Sequence, residues 1–369
     1  MSYIKFIFPI NGDCINSNDG KMNNNLVHLK VLVESDSDIL FINDKQALRN
    51  GNLFESYVDV AYGPFLIRAN DKTITKEIKI YRLKSVEKLF RISVDDNILF
   101  LKDITENKSK YTSIFDNQYL NIFKEVHDKT GAKININLFY ETSDLYGFNK
   151  PIEYFNLSMM TDKFKNEFID NSSWLRLSFH SRKEYPGNPY HNTKKEVIAG
   201  DIDLVNNEII RFAGKEALSK ETTIHFGATN KESTKECIDK GYKALNAFFE
   251  ISDNKPIVSY HYDIELVKHC ADRDFWYDDE LKCLYSKIDR VMNCSNDRNE
   301  NIKALNEIIN NPTKNQFVEI MIHEQYFYNE YENYLSNFKN LVLDSALFLK
   351  EKGYTSCFLN DVLLKNEMY

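Results

Sequence analysis

No run of the 369 residues approaches the length of a membrane-crossing helix, which takes about 20 apolar residues. No C-x-x-C pair occurs among the six cysteines, Cys14, Cys237, Cys270, Cys283, Cys294 and Cys357. That spacing argues against a zinc ribbon or thioredoxin-type motif, and buried free thiols are expected. No Lys/Arg-rich run offsets the net charge of −8, so a nucleic-acid partner is not expected. No glycine-rich phosphate loop follows a candidate strand, which disfavours a dinucleotide-binding fold. The N-terminal MSYIKFIFPINGDCIN has one lysine and few apolar residues before polar sequence. It is too short for a secretory signal, and a cytoplasmic location is the expectation.

Core-forming material is plentiful. Apolar residues make up 43% and aromatics 13% of a chain long enough for two domains. Residues 1–93 read as all-β, with short β-rich runs at Tyr3–Pro9, Val27–Glu34, Asp38–Ile42, Ser56–Val60, Phe65–Ala69 and Thr75–Arg82 between Asn, Asp and Gly clusters. Residues 94–369 alternate strand and helix patterns. Strands are expected at Ile98–Ile104, Ala132–Tyr140, Leu175–Phe179, Thr222–Phe226, Pro256–Tyr260, Val318–Ile322 and Thr355–Leu359. Helices are expected at Tyr119–Lys129, Lys163–Asp170, Lys194–Arg211, Glu232–Phe249, Asp279–Val291, Asn299–Asn310 and Glu330–Lys352. About seven β/α units predict an α/β fold, a distorted (β/α) TIM-like barrel behind a small all-β sandwich.

Chemistry in such a barrel sits where strands end. There the sequence places Asp103, His180, His225, His261 with Asp263, and His323 with Glu324. Four of the eight histidines thus stand at equivalent places in separate units. One lone histidine at a strand end is ordinarily structural; four, with carboxylates, point to a site. The loop after His180 adds Arg182, Glu184, Tyr190 and His191. Imidazoles and carboxylates on rigid strand ends suit a divalent ion, zinc first, although a metal-free acid–base site would use the same residue types. Aromatic residues near these ends, among them Trp174, Trp276, Tyr185, Tyr326 and Tyr328, could stack on sugar rings or simply pack.

The order of these motifs resembles the polysaccharide deacetylase superfamily over residues 98–365. Phe100-Leu101-Lys102-Asp103 stands for that family's Thr-Phe-Asp-Asp, and His180-Ser181-Arg182-Lys183-Glu184 for its His-Ser/Thr-x-x-His. Arg211-Phe212-Ala213-Gly214 is similar to its Arg-x-Pro motif, and Ile322-His323 to its last histidine. The resemblance implies a metal-dependent hydrolase that removes acetyl groups from a carbohydrate. It implies a metal held by Asp103, His180 and Glu184, and His323 as the proton donor. The family's base aspartate is replaced by Lys102, so the base falls to Lys102, His261 or Asp263. Substrate contacts are expected from Arg182, Arg211, Tyr190, His225 and Glu324. Two alternatives stay open: a glycoside hydrolase using carboxylates such as Asp103, Glu141, Asp263 or Glu324, and a sugar-binding relative that has lost its base. Residues 39–83, with the turn Tyr62-Gly63-Pro64, resemble the later strands of immunoglobulin-like modules fused to bacterial carbohydrate-active enzymes.

Overall fold

The computed structural model describes residues 3–368. The strand Leu26–Ser35 shows why its sequence folds as it does. Val27, Leu29, Val31 and Val33 are fully buried, and the residues between them are partly exposed, the period of two of a half-buried strand. It lies in an antiparallel sheet between Ile4–Phe8 and Leu53–Val60, with Leu48–Asn50 and Gly20–Asn23 at the margins. A second sheet runs in the order Cys14–Ile15, Thr75–Arg82, Gly63–Asn70, Phe41–Ile42, Lys45–Gln46. The two sheets share one apolar cluster. In it Val27, Leu29, Val31, Val33 and Phe54 of the first sheet join Ile67, Ala69, Ile78 and Ile80 of the second.

The segment from Gly12 to Asp19, around the second strand, ties this β-region to the rest of the chain. Arg273 binds both Asp19 oxygens, at 2.5 and 2.8 Å, and the Cys14 carbonyl at 2.9 Å. His269 Nε2 lies 2.6 Å from the buried Asp13 carboxylate. Gly12 has a φ of +87°, and a Cβ there would meet the Tyr277 carbonyl at 2.3 Å, so only glycine fits.

The second part centres on the strand Leu89–Asn97, all nine residues of which are buried. Ile134–Phe139 and Phe317–His323 flank it, Leu175–Ser181 and Arg290–Val291 lie outside them, and Thr355–Ser356 pairs with its start. Every pairing in this sheet is parallel. A further sheet contains Glu221–Thr222, Ala244–Ala247 and Cys283–Lys287 in parallel, with Phe275–Asp278 antiparallel at its edge. The fold is therefore mixed α/β. Phe90, Ile92 and Val94 of the central strand enter the large apolar cluster that also takes in the buried faces of the helices. Arg91, Ser93 and Asp95 alternate with them on a polar face, where Arg91 pairs with Glu221 at 2.7 Å and with Glu319.

Several expected elements differ. Ile98–Ile104 is not a strand: Leu99–Glu106 is helical, and the Glu324 carboxylate accepts the Ile98, Leu99 and Phe100 N–H groups at its start. A short apolar run has no period that separates strand from helix. The strand lies just upstream, and the expected division at 93/94 falls inside it. The expected helix Glu232–Phe249 ends at Asp239, and Ala244–Ala247 is a strand. The helix expected over Asp279–Val291 is replaced by the strand Cys283–Lys287. Pro256–Tyr260 contributes only Lys255–Ile257, in a hairpin with Glu250–Ser252 rather than in a parallel sheet. Among the described residues no helix is long and apolar enough to cross a membrane.

Candidate metal centre

The site begins with an irregularity in the central strand. Pairing with Ile134–Phe139 shifts register between Val94 and Asn97, and Asp96 has a φ of +62°. In a regular strand Asp95 and Asp96 would face opposite sides. The bulge turns both carboxylates into one pocket of about 300 Å³. A left-handed aspartate costs on the order of 1 kcal/mol or more, and Asn97 helps hold it. The Asn97 amide donates to the Val94 and Asn137 carbonyls at 2.7 and 3.0 Å, and its oxygen accepts from Tyr119 Oη at 2.6 Å.

Asp96, His180 and His225 converge there, all buried. Asp96 Oδ1 lies 2.9 Å from His180 Nε2 and 3.3 Å from His225 Nδ1. The two imidazole nitrogens are 3.0 Å apart. The other nitrogen of each ring faces a main-chain carbonyl: His180 Nδ1 faces Thr223, and His225 Nε2 faces Glu184 at 3.0 Å. Carbonyls only accept, so those outer nitrogens carry the protons. The lone pairs of His180 Nε2 and His225 Nδ1 then point at each other and at a carboxylate. Such a convergence needs a cation or a proton at its centre, and the donor set of two imidazoles and a carboxylate fits a divalent ion.

The electrostatics agree. Burial alone would lower the His180 imidazolium, but the Asp95 charge and the Asp96 hydrogen bond and charge push it up to about 9. Burial opposes ionisation of Asp96, yet its hydrogen bonds to His180 and His225 hold it well below the usual carboxylate range. Burial pushes the Glu184 carboxyl up to about 8, with the Asp96 charge adding to the effect. Asp95 accepts from Asn137 Nδ2 at 2.5 Å. His323, the register partner of Asp95 on the neighbouring strand, brings Nε2 to 3.9 Å from Asp96 Oδ2. Tyr146, Phe226, Tyr326 and Tyr331 form much of the remaining wall, and among the described residues no lysine or arginine lines it.

Of the residues expected from the sequence, His180, Glu184, His225, His323 and Tyr326 line this pocket; the other candidate site residues lie elsewhere. Lys102 and Asp103 sit on the Leu99–Glu106 helix, where Lys102 pairs with Glu106 and Asp103 accepts from Tyr111 and Asn117 at 2.8 and 2.7 Å. His261 faces the Thr234 hydroxyl at 3.1 Å, and Asp263 caps the helix Ile264–Cys270. Arg211 binds Glu208 and the Met160 and Leu157 carbonyls. Arg182 lies 3.4 Å from Glu141 and 3.7 Å from Asp201, and Tyr190 is buried against Asp201 at 3.0 Å. Glu324 is spent on main-chain N–H groups. Of the aromatics, Trp174 stacks on His127 and Trp276 bonds the Asn11 carbonyl.

Sequence reasoning misses Asp95 and Asp96, although a signal for them exists. Ser93-Val94-Asp95-Asp96 matches Thr-Phe-Asp-Asp more closely than Phe100-Leu101-Lys102-Asp103 does. A larger open groove of about 910 Å³ lies between the helices Arg298–Ile309 and Phe338–Glu351. It holds an Arg298–Asp344 pair and, among the described residues, no comparable cluster.

No protein-family model matches the chain, and no curated protein matches it. Among solved structures, a CE4 family pseudoenzyme from Bacillus anthracis is similar with a TM-score of 0.36 and 10% identity, over 82% of this chain and 85% of that one. A mutant of that pseudoenzyme with restored enzymatic activity gives 0.36 and 10%, over 82% and 88%. A Streptococcus mutans CE4 esterase gives 0.38 and 11%, over 73% and 85%.

Proposed function

We propose that this chain is a metal-dependent hydrolase of the polysaccharide deacetylase type, removing acetyl groups from a carbohydrate. The observation that carries the reading is the convergence of the Asp96, His180 and His225 acceptor atoms, with both outer imidazole nitrogens tied to carbonyls. Asp96, His180 and His225 would hold a divalent ion, zinc in the first instance. Bound there, such an ion supplies Lewis-acid polarisation of an acyl carbonyl.

The chain's own groups supply the proton transfers. Asp95, held by Asn137, takes a proton from the attacking water. His323, as the imidazolium, gives its Nε2 proton to the leaving amine or alkoxide and is left neutral with hydrogen on Nδ1. Such roles are each worth about 10²–10⁴-fold in rate. The aromatic wall suits the faces of a sugar ring. Lys102, whose place in the motif suggests a lost base, is paired on a helix away from this pocket, and Asp95 takes the role instead. In the same reading the parallel strands form a distorted β/α barrel that starts at Leu89, and residues 3–88 form an immunoglobulin-like module.

The test is acetate release from acetylated chitooligosaccharides and acetylated xylan, with and without added zinc or cobalt. Zinc-dependent release that disappears in Asp96→Ala is the expected result. No zinc affinity in protein prepared without chelator would overturn the reading. Zinc binding without release from any acetylated glycan favours the sugar-binding alternative.

A further inference from the structure

A proton donor must keep hydrogen on one ring nitrogen and exchange it at the other, and for His323 the neighbouring strand decides which is which. Arg290–Val291 pairs in parallel with Phe317–His323, with Val291 opposite Met321. Two residues on, the turn Met292–Cys294 sets Asn293 beside His323. Asn293 Oδ1 lies 3.2 Å from the His323 main-chain nitrogen and 2.9 Å from its Nδ1. A main-chain N–H can only donate, so the amide atom facing it is the oxygen. That oxygen can only accept, so His323 Nδ1 also carries hydrogen.

We propose that Asn293 is a positioning residue that locks neutral His323 in the Nδ1–H tautomer and presents Nε2 to the pocket. The effect on turnover rests on the hydrolase reading above; the tautomer itself does not. A neutral amide does this work without placing another charge beside Asp95, Asp96 and Glu184. Wrong-tautomer imidazole is severely impaired in proton transfer.

The experiment is long-range ¹H–¹⁵N correlation spectroscopy on the ¹⁵N-labelled full chain at alkaline pH, with His323 assigned by comparison with His323→Gln. Wild-type protein should show Nδ1 protonated and Nε2 unprotonated. Asn293→Asp keeps the acceptor and should keep this pattern. Asn293→Leu removes it and should shift population to the Nε2–H form. An Nε2–H tautomer in wild type, or an unchanged pattern in Asn293→Leu, overturns the proposal. On acetylated chitooligosaccharide, Asn293→Leu should lower kcat by roughly 10-fold or more with KM little changed, and Asn293→Asp should recover part of it. A wild type without activity would defeat the hydrolase reading and leave the tautomer measurement to decide this one.

Discussion

Asp96 Oδ1 stands 2.9 Å from His180 Nε2, although 84 positions separate the two residues. The contact exists because a bulge turns Asp96 toward the pocket while the Thr223 carbonyl holds the far side of the imidazole. With His225 beside them, removing one donor should cost metal affinity out of proportion to any loss of stability. Asp96→Ala and His225→Ala should each weaken zinc binding by more than the roughly 10–100-fold typical of losing an outer-shell partner. Isothermal titration with zinc measures it; near-normal affinity in both variants removes the centre.

His323→Ala should lower kcat by about 10²–10⁴-fold and leave the unfolding midpoint nearly unchanged. The side chain is partly exposed, with 24% relative accessibility, so little packing is lost. A near-wild-type rate on a competent acetylated substrate would end its assignment as proton donor.

Glu324 behaves differently. Its carboxylate accepts three main-chain N–H groups, at 2.6, 2.8 and 2.6 Å, and the Tyr328 hydroxyl at 2.9 Å. Glu324→Ala would leave buried donors at a helix start without a partner, at about 1–3 kcal/mol or more. Chemical denaturation should show that loss, and an unchanged midpoint would contradict it.

Stability should fall as pH rises toward neutrality, in part through Glu319. Burial pushes its carboxyl up to about 7 despite the Arg91 charge. Between the ordinary value of 4.5 and about 7, the unfolded chain releases a proton that the folded chain keeps. The folded state therefore loses stability across that window as pH rises. Glu319→Gln should flatten this part of the pH–stability curve; an identical slope in variant and wild type counts against it.

Lys102→Met tests the corrected position of the first motif. The ammonium pairs with Glu106 on the helix, so turnover should stay within about threefold of wild type, since an exposed ion pair is worth only about 0–1 kcal/mol. A hundredfold drop would return Lys102 to the chemistry.

The sequence alone determined a good deal. Alternating burial in Leu26–Ser35 follows from its alternating valines and leucines, and the shift to β/α periodicity follows from longer amphipathic runs such as Lys195–Ala213. His180 and His323 are legible as strand-end histidines because their strands are short apolar runs that stop at a polar residue. Tertiary structure decided the rest. Leu89–Asn97 carries arginine, serine and aspartate on one face, and those polar groups hide it as a strand until Glu221 and Glu319 are seen to meet Arg91. The helix Leu99–Glu106 is held at its start by a carboxylate 224 residues away. Asp96 joins His180 and His225 only through a bulge and two main-chain carbonyls. Periodicity records which residues prefer burial, whereas a site depends on which distant atoms can satisfy one another once buried.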